Sequence, residues 1–322
     1  MKRHLCAAAM AVVLLFIIPL HTLAAEMLVP VGKIIGLQLH DDTVTIAAFD
    51  DAYGQHAREA GLQIGDQILS IDGCSIHCAE DVRKALEQCS GQIELSVLRG
   101  NKEKTICFTP AKTDDSFRLG VYLKQGIAGI GTVTFYDPDS GLFGTLGHGV
   151  SDSKGNLLRL SSGSAYEAEI LSVKRGQCGD PGALKGSAEA MCEWGKLLRN
   201  TPQGVFGTSK TGWSGEAIPV ADYSDIQPGT ATILSTVRGD SPKEYSVEII
   251  KIYPEDRLDH RNFLIKVTDP ELLTTTGGIV QGMSGSPIIQ DGKLVGAVTH
   301  VLVNDPTRGY GIFIENMLEA AG

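Results

Sequence analysis

The reading of the fold turns on Gly282-Met283-Ser284-Gly285-Ser286-Pro287 and the run that follows it, Ile288-Ile289-Gln290-Asp291-Gly292-Lys293-Leu294-Val295-Gly296-Ala297-Val298. Apolar residues on either side of Asp291-Gly292 predict a strand, a tight turn and a second strand. Ahead of them, a serine flanked by glycines marks a sharp turn with exposed backbone N–H groups. Outward from this stretch the same texture continues. From about Ser116 to Gly322, short apolar runs are split by Gly, Pro and Asp, and Glu315 to Ala321 is the clearest late helix. Of the 38 glycines, 18 fall between Gly126 and Gly215 with no collagen-like period, as expected for many turns between short strands. An all-β barrel or sandwich pair is the physical expectation.

A hydroxyl is a weak nucleophile until an imidazole takes its proton, so Ser284 needs a histidine. Gly144-Thr145-Leu146-Gly147-His148-Gly149 supplies one between glycines, with no helix or core stripe to account for it. Gly282 and Ser284 are the natural N–H donors to an oxyanion, because glycine lets backbone approach the substrate. The α/β-hydrolase pattern is excluded: it needs G-x-S-x-G, and Ser286 stands where the last glycine belongs.

The segment TLGHG resembles the T-A-x-H of chymotrypsin-like proteases, and GMSGSP their G-x-S-G-x-P, with histidine preceding serine as in that family. The string GGIVQGMSGSPIIQDGKLVGAVTHVLVNDPTRGY, Gly277–Tyr310, is more specific and resembles the SpoIVB-type peptidases, the stage IV sporulation protein B family. HtrA-like quality-control proteases share the ingredients, but their PDZ domain follows the catalytic domain and their serine segment reads G-N-S-G-G-P. The resemblance implies a mainly β chain: a membrane-targeting segment (1–25), a PDZ domain (27–110) and a chymotrypsin-like double β-barrel peptidase (116–322). It also implies the triad Ser284, His148 and Asp269, the last from Lys266-Val267-Thr268-Asp269-Pro270. Asp-Pro equally suits a turn or cap; Asp180, Asp222 and Asp225 are reserve acids, and His300 is the alternative base or a neighbour of the substrate.

The first unit has its own signature. Ala60-Gly61-Leu62-Gln63-Ile64-Gly65-Asp66-Gln67-Ile68-Leu69-Ser70-Ile71-Asp72-Gly73 resembles the AGL-x-x-GD-x-I-L-x-I-x-G run of PDZ domains, and Val82 and Leu86 sit one turn apart on an amphipathic helix. PDZ domains take peptides as an added strand. On that resemblance Gly32 to Leu37, with Gly32 and Gly36 as its glycines, is the carboxylate loop, Gln38 and Leu39 follow as the edge strand, and Leu37, Leu39, Val82 and Leu86 are the peptide-binding apolar residues. A polar joint, Lys112-Thr113-Asp114-Asp115, separates the two units.

Lys2, Arg3 and His4 precede an apolar run from Leu5 to Leu20 and then Ala24-Ala25, the layout of a secretory signal. Sixteen residues reach about 24 Å, short of the roughly 30 Å hydrocarbon core, so a cleaved signal is favoured over an anchor. The six cysteines beyond the signal have neither CxxC nor zinc spacing, leaving bridges and free thiols both open and suggesting no metal. A formal charge of −10 without any basic block speaks against nucleic acid as a partner. Arg238-Gly239-Asp240 reads as a turn, and Trp194 and Trp213 as packing. What the resemblance implies is an exported, cofactor-free endopeptidase of sporulation. It would act in the forespore intermembrane space, cutting itself and a regulator of a membrane-embedded sigma-factor processing complex, with a protein tail at the PDZ domain. The competing reading is a PDZ-led adaptor whose protease-like domain only binds.

Overall fold

The computed structural model describes residues 26–113, 116–152, 155–253 and 260–322; the expected signal segment lies outside them. Among the described residues no helix is long and apolar enough to cross a membrane.

Two six-stranded barrels carry the chain. In the first, Ile34–His40 pairs with Ile127–Tyr136, which pairs with Leu142–Thr145. The ring continues through Gly204–Ser209, Ala183–Thr201 and Ser162–Lys174 back to Ile34–His40. Met27–Pro30 extends the sheet from Ile127–Tyr136 to Ile218–Pro219. The second barrel closes in the order Gly229–Ser235, Lys243–Ile252, Phe263–Val267, Arg308–Phe313, Lys293–Val301 and Pro287–Gln290. Strands of both barrels alternate apolar inward residues: Val247, Ile249, Phe263, Ile265, Val267, Ile288 and Val298 fill the second core. The C-terminal helix Ile314–Ala321 covers the seam, where Leu28, Phe135 and Phe206 of one barrel meet Leu294, Ala297 and Ile312 of the other.

The structure corrects the expected domain boundaries. The small unit does not precede the peptidase but interrupts it, running from Val44–Phe49 to Val121–Lys124 between two strands that are neighbours in the first barrel. The expected carboxylate loop and edge strand belong to that barrel. Ile34, Ile35, Leu37 and Leu39 are all buried, and both edges of their strand are paired, Leu37 with Gly129 on one side and Ala165 on the other. Gly36 faces Ala188 with no room for a Cβ, and Gly32, at φ 69°, would put one 2.6 Å from Leu234 Cβ. A strand bonded on both edges has no free edge to which a peptide could add as a further strand. The polar joint around Lys112 likewise lies inside the small unit, in a ribbon of Ala111–Lys112 with Phe117–Arg118.

In the small unit, Val121–Lys124 is the strand beside Val44–Phe49; Gln67–Ile71, Ile93–Arg99 and Lys102–Phe108 continue the sheet, and the short Cys74–Ser75 pairs with Gln67–Ile71. Val82 and Leu86 of the helix Ala79–Glu87 sit in its core with Leu119, against which Val121 and Leu123 pack. The glycine-aspartate turn has a direct cause. Asp66, 1% exposed, accepts from Gln63 N–H at 2.9 Å and from Arg99 Nε and Nη2 at 2.7 Å each. Burial opposes its charge, but the Arg99 hydrogen bond and the turn N–H outweigh this and hold the carboxyl below its ordinary pKa. No disulfide joins cysteines among the described residues.

Candidate active site

His148 follows directly on a strained turn. Leu142–Thr145 ends at Thr145, after which Leu146 at φ 70° and Gly147 at φ 65° turn the chain left-handed twice in succession. A left-handed leucine costs about 1–2 kcal/mol. Burial of its side chain in the first core, at 5% exposure, offsets that cost. Gly147 lies against Thr299 and Ile312 of the second barrel, where a Cβ would stand 2.9 Å from Thr299 Cγ2. Beyond His148, Asn200 holds the loop from the opposite strand: it accepts from Val150 N–H at 2.8 Å and donates to the carbonyls of Val150 and Leu158, both at 2.8 Å.

The serine turn is clamped by the other barrel. Gly282 has φ 100° and Gly285 φ 96°, and a Cβ on Gly285 would overlap the carbonyl oxygen of Thr132. Three buried threonines of the first barrel secure it. Thr132 N–H donates to Ser284 O at 3.1 Å and Thr132 Oγ1 to Gly282 O at 2.8 Å, while Thr134 Oγ1 donates to Gly285 O at 2.7 Å. Thr145 Oγ1 donates to Thr132 O at 2.5 Å, tying the end of the histidine strand to the same point. Sequence reading missed these threonines and Asn200, because alternating threonines in a strand look like ordinary β-formers. Within the turn, Met283 N–H and Gly285 N–H are taken by Val280 O at 3.1 Å and Val298 O at 2.7 Å. Among the described residues no acceptor takes the N–H of Gly282 or of Ser284.

His148, Gly282, Ser284, Thr299 and His300 line one cleft of about 420 Å³ between the barrels. Its other walls are largely apolar, among them Leu37, Leu39, Ile127, Ile130, Ile279 and Val301. Leu37 and Leu39, expected in a peptide groove of the small unit, therefore face this cleft instead. Ser284 Oγ donates to Thr299 O at 2.7 Å. His148 Nδ1 lies 2.9 Å from Gly149 O. A carbonyl only accepts, so that contact places the proton on Nδ1 and leaves Nε2 as the ring's acceptor. Burial pushes the His148 imidazole below its ordinary pKa, opposed in part by the Gly149 hydrogen bond. The ring of His300 packs beside that of His148, centroids 5.1 Å apart.

Asp269 does not join this group, which corrects the triad expected from the V-T-D pattern. It is the N-cap of the helix Pro270–Thr276: its carboxylate accepts from Leu272 N–H at 2.9 Å and Ser246 N–H at 3.4 Å. The reserve acids are also committed elsewhere, Asp180 to Lys174, Asp225 to Lys293 and Asp222 to the backbone and hydroxyl of Ser224. The carbonyl of Gly149 is what fixes the His148 tautomer here.

A double β-barrel with a glycine-flanked serine and a histidine meeting in the cleft between its halves defines a serine peptidase of chymotrypsin-like build. The chain belongs to the SpoIVB peptidase S55 family, whose model matches residues 115–318. It is similar over 75 residues, at 32% identity, to mll0638 of Mesorhizobium japonicum, named as a zinc metalloprotease. Those residues are 23% of this chain and 20% of that protein, so the chain spans about a fifth of the relative's length. Among solved structures, the active form of the Rv3671c protease from M. tuberculosis aligns at 16% identity over 62% of this chain and 75% of its own, with a TM-score of 0.37. The inactive form aligns at 12% over 60% and 82%, with a TM-score of 0.35.

Proposed function

We propose that the chain is an exported serine endopeptidase in which Ser284 is the nucleophile and His148 the base. The observation that carries this is the meeting of the two side chains in one cleft beside two N–H groups that have no acceptor among the described residues. In the resting state the serine hydroxyl points at Thr299 O. Attack requires it to rotate so that His148 Nε2 takes its proton while Oγ bonds to the substrate carbonyl carbon. The developing oxyanion is met by the N–H groups of Gly282 and Ser284. The protonated imidazole then gives its proton to the leaving amine, and water hydrolyses the acyl-enzyme by the same path in reverse. No cofactor enters the scheme.

Family membership supports a place in sporulation: export from the forespore, self-cleavage near the N-terminus, and cleavage of a regulator of a membrane-embedded sigma-factor processing complex. The small unit, read as a PDZ domain, takes an extended protein tail. With Ile34–His40 committed to the barrel, the edge open to such a strand is Val121–Lys124, preceded by the turn Leu119-Gly120 and facing the helix of Val82 and Leu86. The unit's place between two barrel strands that reach the cleft suits a gate on the peptidase.

The test is labelling with a fluorophosphonate, together with self-cleavage, in the full chain. Wild type is expected to label at Ser284 and to cut itself, and Ser284→Ala to do neither while keeping its fold. Undiminished self-cleavage in that variant rejects the nucleophile. A folded, processed wild type that never labels supports the adaptor reading instead.

A further inference from the structure

The strands Ser162–Lys174 and Ala183–Thr201 form a hairpin of the first barrel whose tip, residues 175–182, lies on the second. Gly176 N–H donates to Thr276 O at 2.8 Å, Gly179 N–H to Val303 O at 2.9 Å, and Arg175 Nη2 to Leu273 O at 3.2 Å. Where the chain returns from the tip it meets the segment leading into the serine turn. Gln281 N–H donates to Gly182 O at 2.9 Å, and Leu184 N–H donates to Gln281 O at 2.8 Å, so Ala183 and Gln281 form a parallel bridge. Leu184 itself is buried in the second core, with Ile279, Val280 and Met283.

One peptide unit makes this contact consequential. Gln281 O and the N–H of Gly282 belong to the same planar trans peptide, in which carbonyl and N–H point in opposite directions. A donor that holds Gln281 O therefore decides where the Gly282 N–H points, and that N–H has no acceptor among the described residues and belongs to a residue lining the cleft. Gly282, at φ 100°, is free to let the peptide turn over if its carbonyl is released.

We propose that the hairpin return, through the N–H of Leu184 and the carbonyl of Gly182, is a positioning clamp that sets the oxyanion-binding peptide and so switches the second barrel on from the first. Docked, the clamp aims the Gly282 N–H into the cleft. Lifted, it lets the peptide flip, presenting a carbonyl to the oxyanion and silencing the enzyme with Ser284 and His148 still in place. A protein or peptide that competes for the tip is an inhibitor by this route. Gly182 is required because a Cβ there would overlap Gly176 N and Lys174 O and stand 2.6 Å from Val280 Cγ1.

The proposal rests on the serine-peptidase reading of Ser284, and the test separates the two. In the full chain, Gly182→Ala and Leu184→Pro are expected to lower kcat about 10²–10³-fold, the cost of one oxyanion donor, with KM changed less than about threefold. A peptide boronate should lose affinity in parallel with kcat, and the acid limb of the pH profile should not move. Leu171→Ser, exposed on the same hairpin away from the tip, is expected to match wild type. A folded Gly182→Ala chain with wild-type kcat overturns the clamp, whereas a wild type that neither labels nor cleaves overturns the peptidase reading. If neither variant folds, amide hydrogen exchange on wild type decides. Leu184 N–H should be protected and become more so on boronate binding; rapid exchange at Leu184 in the active enzyme overturns the proposal.

Discussion

The two barrels have six strands each and opposite characters. The second runs from Gly229 to Phe313 with no inserted sheet among the described residues, and its serine turn is made within a single loop of its own. The first is split. It opens between Ile34–His40 and Ile127–Tyr136 to admit the small unit, and its longest hairpin reaches across to the partner barrel. The second barrel thus carries the proposed nucleophile, while the first carries the proposed base, the threonines that pin the serine turn, and the hairpin that bonds the Gln281 carbonyl. Anything that moves the first barrel reaches the chemistry, and both strands flanking the insert line the cleft, through Leu37, Leu39, Ile127 and Ile130.

The largest effect expected from breaking this division is at the base. His148→Ala should lower kcat/KM about 10⁴-fold or more, since the serine hydroxyl, which rests on Thr299 O, then loses the imidazole proposed to take its proton. Its thermal midpoint should stay close to wild type, because the half-buried ring makes few structural bonds. Residual activity within tenfold of wild type would transfer the role to His300.

Next comes the joint between the barrels. Gly285→Ala forces a side chain into Thr132 O at a positive φ and should destabilise the chain by about 3 kcal/mol or more, read as a lower denaturant midpoint. Gly292→Ala, in the hairpin turn within the second barrel, also has a positive φ but meets open space and should cost about 1 kcal/mol. Equal costs at the two sites would mean that the serine turn is not braced by the first barrel.

A smaller effect follows from the burial of His148. A base whose pKa is lowered in the folded chain stays neutral to more acid pH than a free imidazole, so the acid limb of kcat/KM should fall below about pH 6.5. For stability the sign is fixed by linkage. Below the ordinary imidazole value the unfolded chain binds a proton that the folded chain does not. Stability contributed at this site therefore declines as pH falls from about 6.5 to the lowered folded value, then levels. His148→Gln should remove that decline in a pH series of unfolding curves.

What was legible in the sequence follows the same division. The serine and histidine turns announce themselves because glycine is required where φ is positive or a Cβ has no room, as at Gly147, Gly282 and Gly285. Short apolar runs between such turns were enough for a mainly β fold, and its chymotrypsin-like build came from the resemblance carried by the histidine and serine motifs. The membership of Ile34–His40 was not legible, since an apolar strand carries no local mark of the sheet it joins. Its partners, Ile127–Tyr136 and Ser162–Lys174, are distant in sequence and chosen by long-range packing. Thr132, Thr134 and the Leu184 N–H were hidden for the same reason: their partners lie in the other barrel.

Asp269 shows a local signal outranked by a pattern match. Asp269-Pro270-Glu271 is a helix start, with a capping carboxylate, proline at the first helical position and an acid in the first turn, and the structure uses it so. The two roles separate cleanly by substitution. A cap is satisfied by asparagine, whose amide oxygen can accept from Leu272 N–H as the carboxylate does. An acid orienting the catalytic imidazole is not, because asparagine in that place typically costs about 10⁴-fold. Asp269→Asn should therefore keep kcat/KM within about threefold of wild type and change stability by a few tenths of a kcal/mol. Asp269→Ala should lose about 1 kcal/mol and still turn over. A thousandfold loss in the asparagine variant at unchanged stability would put Asp269 back beside His148, through a rearrangement of the Pro270–Thr276 segment on substrate binding.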